Sequence, residues 1–335
     1  MSNQIFYVVS FLATVLITAL AARWLIPKLK SKKMGQKILD IGPRWHKGKE
    51  GTPVMGGLSF IFAITIVGAI AIPVGLHFDI IQNVGWLLIV YFFALANGLI
   101  GVIDDLAKLS KGKNQGLRAW QKYGLQLIAA GAFLFVTSSI GYITTELYLP
   151  FVDITLSLGI FYYVVMLLLL TGLPNATNLT DGVDGLSSSV TLVVASFFAV
   201  VGLLFAGSEV TLISVLLAGG CIGFLIYNFY PARVFMGDTG SLFLGGIVVG
   251  IAFMLDNPLI IIVVGIIYII ETVSVMMQVS YFKLTKSING TGKRLFLMTP
   301  IHHHFEMKKW SEVKIVFVFS TMTVIAAGVA YLGLR

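Results

Sequence analysis

Apolar residues run through the chain in windows of about twenty, separated by short polar segments. A helix crosses the hydrocarbon core of a bilayer in about 20 residues, so windows of that length predict membrane-spanning helices. Ten can be read, at approximately 5–26, 54–75, 84–103, 123–142, 155–173, 186–206, 210–229, 241–255, 258–281 and 314–333. The eighth is short and the ninth carries a charge, Glu271. No small-residue cleavage site follows the first window, which reads as a retained helix rather than a signal peptide. No low-complexity linker and no repeat of about 20–50 residues interrupts the series. The expected fold is an all-α polytopic membrane protein, a single integral membrane domain of about ten transmembrane helices over residues 1–335.

The cations orient it. Segment 27–53 holds Lys28, Lys30, Lys32, Lys33, Lys37, Arg44, Lys47 and Lys49. Segment 104–122 holds Lys108, Lys111, Lys113, Arg118 and Lys122, segment 230–240 holds Arg233, and segment 282–313 holds six more, from Lys283 to Lys309. The alternating loops 76–83, 143–154, 207–209 and 256–257 contain no Lys or Arg. Basic loops stay in the cytoplasm, so ten crossings place both termini outside. The five cytoplasmic loops, about 27–53, 104–122, 174–185, 230–240 and 282–313, hold nearly every unusual residue. The outer loops are short and plain.

Composition narrows the classes. Hydrophobic residues make up 57% of the chain and charged ones only 11%, with a mean hydropathy of +0.94. A soluble domain carries about 25% charged residues, and one buried core cannot account for the difference. The net charge of +8, from 23 Lys+Arg against 15 Asp+Glu, would suggest nucleic acid in a soluble protein. Here it is largely a topology signal, with anionic lipid or an anionic substrate as a second use, and no nucleic-acid partner is expected. The lone Cys221, in an apolar run, packs as a small hydrophobe and excludes an internal disulfide.

Candidate chemistry gathers on the basic side. IGVIDDL ends the third window with Asp104 and Asp105, where carboxylates sit poorly beside a helix C-terminal dipole. Adjacent side chains on a helix diverge by about 100°, so at most one of the two is expected to face a given ligand. NATNLTDGVDGL supplies Asn175, Asn178, Asp181 and Asp184 at every third residue, more than one helix cap requires. FMGDTGSL puts Asp238 in a glycine-rich turn ahead of a helix N-terminus, a setting that favours phosphate. Aspartates from separate loops suit a magnesium–diphosphate site, because Mg²⁺ takes hard oxygen ligands and bridges a few carboxylates to phosphate. The last loop carries His302, His303 and His304 in PIHHHFE. Three consecutive side chains point in different directions, which argues against a shared zinc site. RWHKGKEGTPVMGG adds Arg44, His46, Lys47 and Thr52, cations there being able to neutralise a diphosphate. Glu271, an acid inside a span, is functional or pairs between helices.

These segments, in this order, resemble the polyprenyl-phosphate N-acetylhexosamine-1-phosphate transferase superfamily and, within it, the phospho-N-acetylmuramoyl-pentapeptide transferase family. IGVIDDL, NATNLTDGVDGL and FMGDTGSL carry the superfamily likeness, RWHKGKEGTPVMGG and PIHHHFE the narrower one. The resemblance runs over essentially the whole chain, with no departure at the motif positions. It implies transfer of phospho-N-acetylmuramoyl-pentapeptide from UDP to undecaprenyl phosphate, giving lipid I and UMP, with Mg²⁺ required. It further implies a homodimer in the bacterial plasma membrane and a ninth span that is broken and splays outward. Carried over residue by residue, Asp238 is the magnesium ligand and Asp104, Asp105 and His303 are catalytic. Lys47, Thr52, Lys108, Asn175, Asn178, Asp181, Asp184, Asn228, Phe235, His302 and His304 bind substrate. An N-acetylglucosamine-1-phosphate transferase would share the acidic motifs. A transporter would carry internal repeats and midplane polar groups instead.

Overall fold

The computed structural model describes residues 2–32, 49–111 and 116–334. Among these described residues, twelve α-helices and one short hairpin follow in chain order: α1 (Asn3–Ser31), α2 (Leu58–His77), α3 (Val84–Lys111), α4 (Ala119–Ser139), β1 (Glu146–Leu149), β2 (Ile154–Ser157), α5 (Ile160–Thr180), α6 (Leu186–Val201), α7 (Ser208–Asn228), α8 (Gly237–Met254), α9 (Ile260–Val264), α10 (Ile266–Asn289), α11 (Ile301–Met307) and α12 (Glu312–Leu332). A π-helical turn, Gly202–Ala206, extends α6. Among the described residues, eight helices are long and apolar enough to cross a membrane: α1, α2, α3, α5, α6 with its π turn, α7, α8 and α12.

The two remaining windows depart for local reasons. α4 covers the fourth, but Gln121, Lys122 and Gln126 make its first turns polar. The ninth is divided at Gly265 into α9 and α10, the break that the resemblance implied. The purely α-helical expectation also needs correction. β1 and β2 pair antiparallel, Glu146 opposite Ser157 and Leu149 opposite Ile154. The turn between them holds Phe151 and Asp153 at positive φ. The alternation in ELYL and ITLS is period two, and the apolar window at 155–173 absorbed the second strand.

α8 is the axis of the bundle. Every residue from Thr239 to Phe253 is buried. Helices in lipid associate by close packing rather than by a hydrophobic driving force, so small residues mark the contacts. At Gly101 of α3, a Cβ would lie 2.2 Å from the main-chain oxygen of Asp238. Glycine there lets α3 touch the start of α8, which brings Asp104 and Asp105 one turn on beside Asp238.

All five segments expected on one face meet at one end of the bundle. Pro53 and Phe235 are joined by a main-chain hydrogen bond of 2.8 Å. Lys49 reaches Asp184 at 2.7 Å and Glu312 at 2.6 Å. Lys108 and Lys122 both reach Asp238. The opposite end is tied separately, Glu209 accepting the N–H groups of Gln82 and Asn83.

Candidate active site

Asp104, Asp105 and Asp238 each bring a carboxylate oxygen within 4.8 Å of the others. Both of the adjacent acids thus come within reach of Asp238. The two do diverge around α3, but Asp238 enters from α8 between them, and short side chains reach it from both directions.

Their partners differ, and the difference assigns their work. Asp105, 2% exposed, accepts the N–H groups of Asp238 at 3.2 Å and Thr239 at 3.0 Å, and the Thr239 hydroxyl at 2.7 Å. It caps the N-terminus of α8 from a neighbouring helix. Gly237, at φ +73°, makes the entry possible, since a Cβ there would lie 2.5 Å from an Asp105 oxygen. Asp104 accepts the Leu117 N–H at 2.8 Å and meets Lys108 at 2.7 Å. Asp238 is paired with two side-chain cations, Lys108 at 2.9 Å and Lys122 at 2.6 Å. Main-chain donors are fixed in place, whereas lysine ammoniums sit on flexible stems and can withdraw.

The asparagine–aspartate segment lies alongside. Asn175 donates to Gln126 of α4 at 2.8 Å, and Asn178 donates to Ser241 of α8 at 2.8 Å. Asp181 is the C-cap of α5. Burial, and then the neighbouring carboxylates of Asp238, Asp105 and Asp184, push its carboxyl well above the usual range. Asp184, 2% exposed, is enclosed: one oxygen meets Lys49 and the other accepts the Ala232 N–H at 2.8 Å. Asn228, also 2% exposed, accepts from Ser188 and donates to the Val234 carbonyl. Phe235 and Thr52 are partly buried on adjoining segments. Lys47, with Arg44 and His46, lies outside the described residues.

The three histidines take different partners, although the His302 and His303 rings lie 4.1 Å apart centre to centre. His302, 0% exposed, pairs through Nδ1 with Glu271 at 3.0 Å. His303 pairs with Glu306 at 2.5 Å. His304 accepts the Leu297 N–H at 3.2 Å, and burial, then Lys308, lower its pKa. The sequence reading counted Lys122, Lys49 and Arg118 as topology charge and passed over Thr239, Gln126 and Glu312. Lys122 had a signal, being a lone cation four residues into an apolar helix. Glu312 had none, because only its fold partner Lys49 marks it.

Three carboxylates in contact are hard oxygen donors, the set that suits Mg²⁺. Asp238, whose lysine partners are exchangeable, is the best placed to become a ligand. The comparisons with known proteins then identify the class. The description Glycosyl transferase family 4 matches residues 87–256, a stretch that contains all three acids of the cluster and the whole of Asn175–Asp184. A phospho-N-acetylmuramoyl-pentapeptide-transferase of Clostridium botulinum (strain Alaska E43 / Type E3) is 44% identical over 315 residues, covering 92% of this chain and 90% of the relative. Relatives with the same name from Clostridium kluyveri (strain ATCC 8527 / DSM 555 / NBRC 12016 / NCIMB 10680 / K1) and Clostridium perfringens (strain SM101 / Type A) are each 42% identical, covering 97% and 98% of this chain and 98% and 96% of the relatives. The chain belongs to this family. The alignment with the named transferases runs well beyond 87–256, over 92–98% of the chain, whereas the broader family match leaves out the RWHKGKEGTPVMGG and PIHHHFE segments.

Proposed function

We propose that the protein transfers phospho-N-acetylmuramoyl-pentapeptide from UDP to undecaprenyl phosphate, giving lipid I and UMP. The observation that carries this reading is the near full-length likeness to phospho-N-acetylmuramoyl-pentapeptide-transferases at 42–44% identity. The cluster of Asp104, Asp105 and Asp238 beside two lysines supports it, since a diphosphate donor needs both a cation and ammonium groups. In this reading α4 and the α9–α10 pair complete ten crossings, with both termini outside and the acidic end facing the cytoplasm of a bacterial plasma membrane. A cysteine placed at 256–257 in a Cys221→Ser background should then react with an impermeant reagent on intact cells, and one near Lys286 should not. The protein acts as a homodimer.

When bound, Mg²⁺ would be held by Asp238, with Asp104 beside it, and would neutralise the diphosphate and the charge growing on the departing UMP. Lys108 and Lys122, freed from Asp238, are placed to take phosphate oxygens. Asp105 stays on the α8 N-terminus and keeps Asp238 in register. Asp104 orients the incoming lipid phosphate. A phosphate monoester has its second pKa near about 6, so at neutral pH it is already mostly dianionic and needs little base assistance. One of its oxygens bonds to the phosphorus that bears the sugar, and the bond to UMP breaks with its electron pair on UMP. A single displacement inverts configuration at phosphorus. His303, with His304, Asn175, Asn178, Asp181, Phe235, Thr52 and Lys47, completes the donor side.

The decisive experiment is UMP release by purified protein given polyprenyl phosphate and either UDP-N-acetylmuramoyl-pentapeptide or UDP-N-acetylglucosamine, with and without EDTA. Release from the muramoyl donor alone, lost in EDTA and restored by Mg²⁺, is expected. Release from the glucosamine donor alone would transfer the assignment to the neighbouring branch, and turnover in excess EDTA would sink the metal. Retention at phosphorus would replace direct attack with an aspartyl-phosphate.

A further inference from the structure

Glu271 is the acid that the sequence left without work. It lies in α10 and is 0% exposed. A carboxylate removed from water needs a partner that satisfies its oxygens, and both of Glu271's go to one residue. Oε1 lies 3.0 Å from His302 Nδ1, and Oε2 accepts the His302 main-chain N–H at 3.4 Å. A carboxylate on Nδ1–H settles the tautomer of a neutral imidazole, leaving the lone pair on Nε2.

That second nitrogen is buried and, among the described residues, has no hydrogen-bond partner. It is pressed instead against the turn between α5 and α6. A Cβ on Gly182 would come within 2.1 Å of Nε2, closer than any side chain tolerates. Gly182 follows Asp181, whose carboxyl feels Asp238 and Asp105, and precedes Asp184 by two residues. One line of contact therefore runs from the helix after the break at Gly265, through a single imidazole, to the turn that carries two of the site's acids. α10 otherwise buries only Ile267, Tyr268, Ser274 and Thr285, and Glu271 is the acid among its buried residues that reaches α11.

We propose that Glu271 is a positioning residue for the transfer: it fixes the tautomer and rotation of His302, whose Nε2 edge seats Gly182 and so places Asp181 and Asp184 opposite the Asp104–Asp105–Asp238 cluster. The proposal rests on the transferase reading above. Glu271 touches no reacting atom, so its loss disturbs alignment more than donor affinity and weighs on kcat rather than KM. Glu271→Gln keeps one acceptor for Nδ1–H, whereas Glu271→Ala leaves both donors bare.

Steady-state UMP release and ¹⁵N NMR of histidine-labelled protein in detergent test this together, with His302→Asn assigning the His302 signals. For Glu271→Ala we expect kcat to fall about 100-fold and the donor KM to stay within about threefold, with Glu271→Gln recovering to within about tenfold of wild type. The His302 ring should be protonated at Nδ1 in wild type and in Glu271→Gln, and should lose that preference in Glu271→Ala. Wild-type kcat in both variants, or a loss confined to KM, would overturn the proposal while leaving the transferase reading standing. An Nε2-protonated His302 in the wild type would overturn it as well. Failure of the wild-type chain to release UMP would fall on the transferase reading; the tautomer measurement, which needs no turnover, still decides whether Glu271 sets His302. Should Glu271→Ala not fold, Glu271→Gln decides through the same two readouts, since a merely structural role predicts lowered Tm with unchanged kcat in the folded fraction.

Discussion

α8 is buried at every residue from Thr239 to Phe253, whereas α10 buries five of its 24 residues and exposes Met276, Leu284 and Ile288 at 62%, 58% and 71%. Both helices carry polar residues to the same end of the bundle. α8 does so with its main chain clamped: Asp105 holds its first N–H groups, and Gly101 lets α3 lie directly against it. α10 does so through a side chain, the Glu271–His302 pair. The acidic cluster is thus built on mutually packed backbones, whereas the histidine side is held by side chains: Glu271 on His302, Tyr268 on Thr191 and Phe305 against Phe319. Precise charge placement falls to the first region.

Five variants break or sharpen that contrast. Asp238→Asn deletes a charge and almost no volume, and turnover should fall at least about 100-fold, some 2.7 kcal/mol of barrier, with Tm unchanged. A residual rate above about a tenth of wild type would remove Asp238 as the main metal ligand. Leu244→Ala, in the middle of α8 at 1% exposure, should cost about 2–5 kcal/mol of stability by opening a cavity. Met276→Ala, on the exposed side of α10, should stay within about 0.5 kcal/mol. Equal losses at the two positions in thermal unfolding would erase the distinction between the helices.

Asp105→Asn puts an amide NH₂ against donors of α8, and should lower stability by about 1–3 kcal/mol as well as activity. Activity loss without any fall in Tm would make Asp105 a ligand rather than a cap. Asp181 gives the smallest effect and a pH signature. Its carboxyl is raised in the folded chain, chiefly by burial, so the fold binds its proton more tightly than the unfolded chain does. That contribution is fully present below the ordinary aspartate pKa and is lost as pH rises through the raised value. Asp181→Asn has no proton to lose. In Mg²⁺-free buffer its Tm should match wild type in acid and exceed it as pH rises, and a gap that closes with rising pH would contradict the sign.

The sequence by itself determined the membrane character, the approximate place of most helices and the gathering of the polar segments at one end of the bundle. Each of these depends on local composition over about twenty residues, which the chain displays openly. Asp104, Asp105, Asp181 and Asp238 were legible for a related reason, as carboxylates are too costly in such a setting to be incidental. The hairpin at 146–157 was not, because its short alternation straddles a plain loop and the start of a longer apolar run. Only the tertiary structure separated the jobs of the adjacent aspartates, since that depends on where α8 begins relative to α3. It alone drew Lys122 to Asp238, 116 residues away, and Lys49 to Glu312, 263 residues away. It also gave Glu271 its partner 31 residues on. A side chain's period along its own helix tells which way it faces. What it faces is decided by packing between helices, and no local pattern encodes that.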